Sequence, residues 1–173
     1  MMATTRSKFH YFLGPVGLML LLAGCGKDVS TDSFVYKMGD KVPIGTMIYT
    51  VLESDWKSEL PPGDGLPQTP QNRFLVLKLS MTNSGGAQVT IPMLTLENAK
   101  KETFMEVGQV RNLPGWLGMI RLINPAQTEE GVIVFDVPPG AYKLRATDGK
   151  DAENETTRLI EIPLALSEPI RPN

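Results

Sequence analysis

The side chains able to do chemistry in this 173-residue chain are few, and their types narrow what it can do. Cys25 is its only cysteine and His10 its only histidine, and His10 lies in an apolar leader ahead of Cys25. Downstream of Cys25 there is no imidazole and no second thiol. That excludes Ser-His-Asp and Cys-His nucleophiles, histidine acid–base work and the usual zinc sites. Carboxylate, lysine, tyrosine or serine chemistry remains, together with oxygen-ligated calcium or magnesium. The chain is therefore expected to be no enzyme and to need no cofactor and no metal.

Four groups of residues could still form sites. Glu53, Asp55 and Glu59 flank Trp56, which would suit a carbohydrate as paired acids beside an aromatic platform. A charged strand edge ahead of a proline-rich loop accounts for the same residues. Asp148, Asp151, Glu153 and Glu155 resemble a calcium loop in composition only, because Gly149 follows the first acid directly and the alternating ligand spacing is absent. They read as a solvated turn. Met38, Met47, Met81, Met93, Met105 and Met119 could suggest Cu(I), yet they are scattered singly and read as core filler. Trp116, Leu117, Met119 and Ile120 form a glycine-broken apolar segment after Leu113-Pro114-Gly115. It either closes one end of the fold or exposes a partner-binding surface; closure is preferred because large exposed apolar patches are unusual on soluble monomers.

Cys25 has a distinct context. Arg6 and Lys8 are followed by an almost wholly apolar stretch over 9–22 and then by the small residues Ala23 and Gly24, the three parts of a secretory signal. The stretch is shorter than the ~17–25 residues that a spanning helix needs, and Gly14-Pro15 interrupts it. Leu22-Ala23-Gly24-Cys25 resembles a lipobox, the processing signal of bacterial lipoproteins. The resemblance implies cleavage between Gly24 and Cys25 and a lipidated, palmitate-type acylated Cys25 at the new N-terminus. One acyl chain holds a protein only marginally, at roughly 0.8 kcal/mol per buried CH₂, whereas two or three hold it stably. Gly26 stands where an inner-membrane retention signal would place Asp. The expected location is the cell envelope: the periplasmic face of the outer membrane in a Gram-negative host, the outer face of the cytoplasmic membrane in a Gram-positive one.

The expected organisation is a signal peptide over 1–24, an acylated N-terminus and tether over 25–33, one domain over 34–166 and a tail over 167–173. Removing Arg6 and Lys8 from the 17 basic residues leaves 15 against 19 acidic ones, with no basic cluster. That speaks against nucleic acid and against an electrostatic membrane patch.

Within the domain the pattern has period two. Leu75, Leu77, Leu79 and Met81 share one face of a strand over 74–82, with Lys78, Ser80 and Thr82 on the other. Asn83-Ser84-Gly85-Gly86 ends it with turn chemistry. Further strands are predicted over 34–38, 47–52, 89–91, 94–96, 103–107, 131–137, 142–147 and 158–162. Pro61, Pro62, Pro67 and Pro70 mark 59–72 as an exposed, irregular excursion. Regularly spaced short strands without an amphipathic helix predict an all-β, immunoglobulin-like antiparallel β-sandwich.

Between 38 and 149 the segments resemble a bacterial family of immunoglobulin-like extracytoplasmic domains, the domain of unknown function 4352. The resemblance rests on Gly39-Asp40, on Tyr49-Thr50-Val51 and on the strand closing in Thr82-Asn83 with glycines after it. Glu130-Gly131-Val132-Ile133-Val134-Phe135-Asp136-Val137-Pro138 completes it. Asn124-Pro125-Ala126 departs from the Pro-Gly pair usual in the family. The resemblance implies a two-sheet sandwich at the envelope and carries no catalytic residues. The expected function is non-enzymatic: an envelope lipoprotein held to the membrane by lipid, with an envelope protein as partner. The alternative is a solute- or glycan-binding lipoprotein using Trp56.

Overall fold

The computed structural model describes residues 34–63, 65–151 and 153–164. The lipobox and Cys25, the expected tether and the C-terminal tail lie outside the described residues. Those described form thirteen strands and no helix. A four-stranded antiparallel sheet runs β11 (Thr128–Val137), β6 (Arg73–Asn83), β3 (Met47–Lys57), β2 (Val42–Ile44). A five-stranded sheet runs β1 (Val35–Lys37), β13 (Thr157–Ile162), β12 (Tyr142–Thr147), β8 (Thr95–Glu97), β9 (Thr103–Met105). The fold is the expected all-β sandwich with one departure: β1 pairs with β13 in parallel. Two ribbons complete it, β4 (Leu60–Gly63) with β5 (Leu66–Gln68), and β7 (Val89–Ile91) with β10 (Arg121–Ile123).

The alternation in β6 builds the core. Leu75, Leu77, Leu79 and Met81 are fully buried between the sheets and meet Leu96, Leu144, Ala146 and Ile160 of the five-stranded sheet in one cluster. β3 keeps the same alternation through Met47, Tyr49 and Val51, then shifts register between Val51 and Glu53. This bulge inserts one residue, Leu52, and inverts the phase of everything after it. Trp56 therefore turns inward opposite Leu75, while Glu53 and Asp55 face solvent.

β6 is buried on its second face as well. Phe74 and Val76 join Val134 of β11 in a smaller cluster with Leu60 and Val110. The proline-rich segment supplies part of its cover, which corrects the expectation of an irregular excursion. Pro61, Pro62 and Pro67 lie within the two short strands of a hairpin that is itself an isolated ribbon, where a missing amide donor is tolerated. Gln68 clamps this hairpin to the following segment, donating to Pro61 O and Arg111 O and accepting from Arg111 N–H.

Residues 106–117 run as a strap along the outer edge of β11. Val107 N–H donates to Val134 O, Leu117 N–H to Val132 O, and Val132 N–H to Gly115 O. The middle of this edge strand, residues 132–135, is thereby paired within the chain. Gly131 makes the approach possible, since a Cβ there would lie 2.4 Å from the Gly115 carbonyl oxygen.

Candidate interaction surfaces

The strap divides the segment 113–122 into two parts. Trp116 and Leu117 are half-buried: Trp116 packs on the second cluster and Leu117 on the main core. Met119, 50% exposed, and Ile120, 69% exposed, face out, and Leu122 joins them at 52%. The four residues expected to act together are thus split, with the first two holding the strap to β11. Residues 115–117 cover the edge of β11.

What fixes this division is a buried ion pair. Arg121 and Glu106 are both sealed from solvent, and Arg121 Nη1 lies 3.0 Å from Glu106 Oε1 while Nη2 contacts Oε2. Nη1 also donates to Pro92 O and Nη2 to Gly118 O. Leu94 N–H donates to Glu106 Oε1. One guanidinium thus ties together the β7–β8 connection, the end of the strap and the residue after β9. Burial pushes the Glu106 carboxyl above its ordinary value, opposed by the hydrogen bonds and the charge of Arg121. The sequence signal for this pair was the phase of Arg121-Leu122-Ile123. It places Arg121 on the same face as fully buried Ile123.

Trp56 offers no carbohydrate platform. It is only 8% exposed and stacks at a tilt on Tyr142, centroids 6.4 Å apart. The bulge at Leu52 is the physical reason, since it sends the indole into the core and the two acids outward. Glu53 pairs with Lys78 and Asp55 with Lys57 on the surface.

The acidic segment is a folded turn. Asp148 is buried and accepts from the N–H groups of Thr156 and Lys150, with the Lys150 ammonium 3.1 Å away. Burial raises its pKa, and these partners outweigh that, so its carboxyl lies below the usual carboxylate range. Glu155 accepts from the Thr147 hydroxyl, and Tyr49 donates its buried hydroxyl to Thr147 O at 2.6 Å. Burial holds the Tyr49 hydroxyl protonated far above its ordinary value. Among the described residues no group of His, Cys, Asp and Glu is arranged to hold a metal ion.

Sequence reasoning did not find one further feature, a surface groove. A groove of about 720 Å³ opens where β1 and β13 end and β12 begins. Met38, Ala99, Ala141, Ile162 and Pro163 line it with Tyr142, whose hydroxyl is held by Pro138 O and whose ring meets Phe104 edge-on. Lys37, Glu161, Lys143 and Glu97 form its rim. They stand in register across four strands, so opposite charges alternate along the outer face. This volume is in the range of small-ligand and peptide-side-chain sites.

Two packed sheets with a shared core define this chain as a β-sandwich protein, and solved structures share the arrangement. A yjhA protein from Bacillus subtilis superposes with a TM-score of 0.55 at 17% identity, covering 74% of this chain and 99% of that one. A functionally unknown protein from Listeria monocytogenes EGD-e gives 0.55 at 8% identity, covering 73% and 82%. The ycdA lipoprotein candidate of Bacillus subtilis gives 0.51 at 15% identity, covering 70% of this chain but only 38% of that longer one. No curated protein matches the chain significantly. Residues 36–154 match the family described as domain of unknown function (DUF4352), and the chain belongs to that family.

Proposed function

We propose that this protein is a lipid-anchored component of the bacterial cell envelope whose sandwich is a non-enzymatic interaction module. The anchor is Cys25, acylated after cleavage behind Gly24. The Leu22-Ala23-Gly24-Cys25 motif supports this, and the likeness to the ycdA lipoprotein candidate agrees with it. The buried ionisable groups at Glu106, Asp148 and Tyr49 are each committed to holding loops, which leaves them unavailable for acid–base work.

The observation that carries the interaction reading is the groove at the end of β13. It joins an apolar floor to a charged rim and lies at the far end of β12 from the turn over 148–155. An envelope protein segment placing an apolar side chain on Tyr142 and Ile162 would meet fixed charges of both signs on either flank.

Filling the groove tests this. Ala141→Trp, at an exposed position lining the groove, should leave the melting temperature unchanged and remove partners captured from crosslinked membranes. Retention of the same partners would exclude the groove. A ligand-library thermal-shift screen separates the solute-binding alternative, because a sugar or small solute that binds the native state raises the melting temperature.

A further inference from the structure

Met119, Ile120 and Leu122 are large, apolar and at least half exposed, and they belong to one short stretch leading into and along β10. The only charged residue among them, Arg121, points inward and is neutralised by Glu106. The strip therefore presents no exposed charge of its own. Its position is fixed by β7, the partner of β10: a Cβ on Gly149, just past the last residue of β12, would lie 2.4 Å from Thr90 O. The strip thus lies at the end of the sandwich where β12 finishes, and the groove lies where β12 begins.

The chain comes into the domain near this same end. Phe34, 71% exposed, precedes β1, and β1 then runs toward the groove. Eight residues, Gly26 to Ser33, separate Phe34 from Cys25, and they span at most roughly 26–29 Å when fully extended. An acylated Cys25 would keep this end of the domain within that distance of the lipid. The apolar strip would then have a bilayer within reach.

We propose that Met119, Ile120 and Leu122 are a bilayer-contacting strip that seats the domain on the membrane and turns the groove away from it. This rests on the acylation of Cys25 proposed above. The contact is apolar rather than electrostatic. The neighbouring turn carries Asp151 and Glu153 beside Lys150, so anionic headgroups would not attract it. Zwitterionic lipid suffices, and seating is insensitive to salt, as expected for burial of apolar side chains.

Site-specific photo-crosslinking in the full-length protein tests this. A benzophenone side chain is placed at position 120, at 122 and, as a control, at 66. Leu66 is as exposed, at 75%, but lies in the β4–β5 hairpin, which follows the end of β3 that carries Trp56. Membranes are floated first, then irradiated, and adducts are identified by mass. Positions 120 and 122 should give at least tenfold more phospholipid adduct than position 66. A floating protein whose positions 120 and 122 give protein adducts, or no more lipid adduct than 66, overturns the strip and leaves the anchor standing. Protein that fails to float overturns the anchor, and the strip with it. Unchanged melting temperatures for the three labelled proteins show that the fold is intact.

Discussion

Arg121 and Glu106 meet in a two-pronged ion pair closed off from water, fifteen residues apart in sequence, Glu106 opening the strap and Arg121 standing just beyond its end. Such a pair loses most of its hydration, so its value lies in what happens when one member is removed. Arg121→Met takes the guanidinium donors from the buried Glu106 carboxyl and from the Pro92 and Gly118 carbonyl oxygens. We expect a loss of about 3–5 kcal/mol in urea unfolding. Arg121→Met combined with Glu106→Leu should recover a large part of that loss. A double variant as unstable as the sum of the single ones would show that the two residues do not act as a unit.

The strap has a second requirement at Gly131. An added methyl group would overlap the Gly115 oxygen and the Leu117 side chain, which lies 2.7 Å from the added carbon. Gly131→Ala should cost about 1–3 kcal/mol, in line with other overpacked sites. It should also speed amide exchange at Val132 and Leu117, whose hydrogen bonds join strap to strand. Unchanged exchange at both amides would mean the strap tolerates the methyl.

Trp116 and Ile120 should separate in the same assay. Trp116→Ala removes a half-buried indole from the second cluster and should cost about 2–3 kcal/mol, less than the ~3–5 typical of a fully buried tryptophan. Ile120→Ser removes an exposed side chain and should fall within about 0.5 kcal/mol of the parent. A neutral Trp116→Ala would reassign the indole to a surface role.

Much of the sandwich was legible because β6 buries one face by strict alternation, and Leu75, Leu77, Leu79 and Met81 all reach the core. The turn at Asn83 was equally legible: its side chain donates to Ala87 O and Ile123 O and accepts from Gly85 N–H. Trp56 was not. A bulge of one residue leaves no mark in composition, yet it decides which face every later side chain takes. Arg121 and Glu106 escaped notice because a charged residue between apolar ones reads as solvent-facing until a partner is found. The groove joins the ends of β1, β8 and β13 to the start of β12, and such long-range proximity is invisible to local periodicity.

Asp148 gives the fold an acid-sensitive point. Its folded-state pKa is depressed, so the stability it contributes is fully present above about pH 4 and is lost as pH falls through the lower folded value. Asp148→Asn should be less stable than the parent at pH 7 and should lose less on acidification from pH 5 to pH 3. Parallel pH profiles for the two proteins would assign the acid sensitivity elsewhere.

Membrane anchoring rests on Cys25, and intact mass analysis of the N-terminal peptide of membrane-extracted protein tests it directly. The predicted result is a peptide beginning at Cys25 and carrying a diacylglyceryl group, absent when Cys25→Ser is expressed. A chain that retains residues 1–24, or one that begins elsewhere with an unmodified Cys25 thiol, would contradict the anchored protein described here.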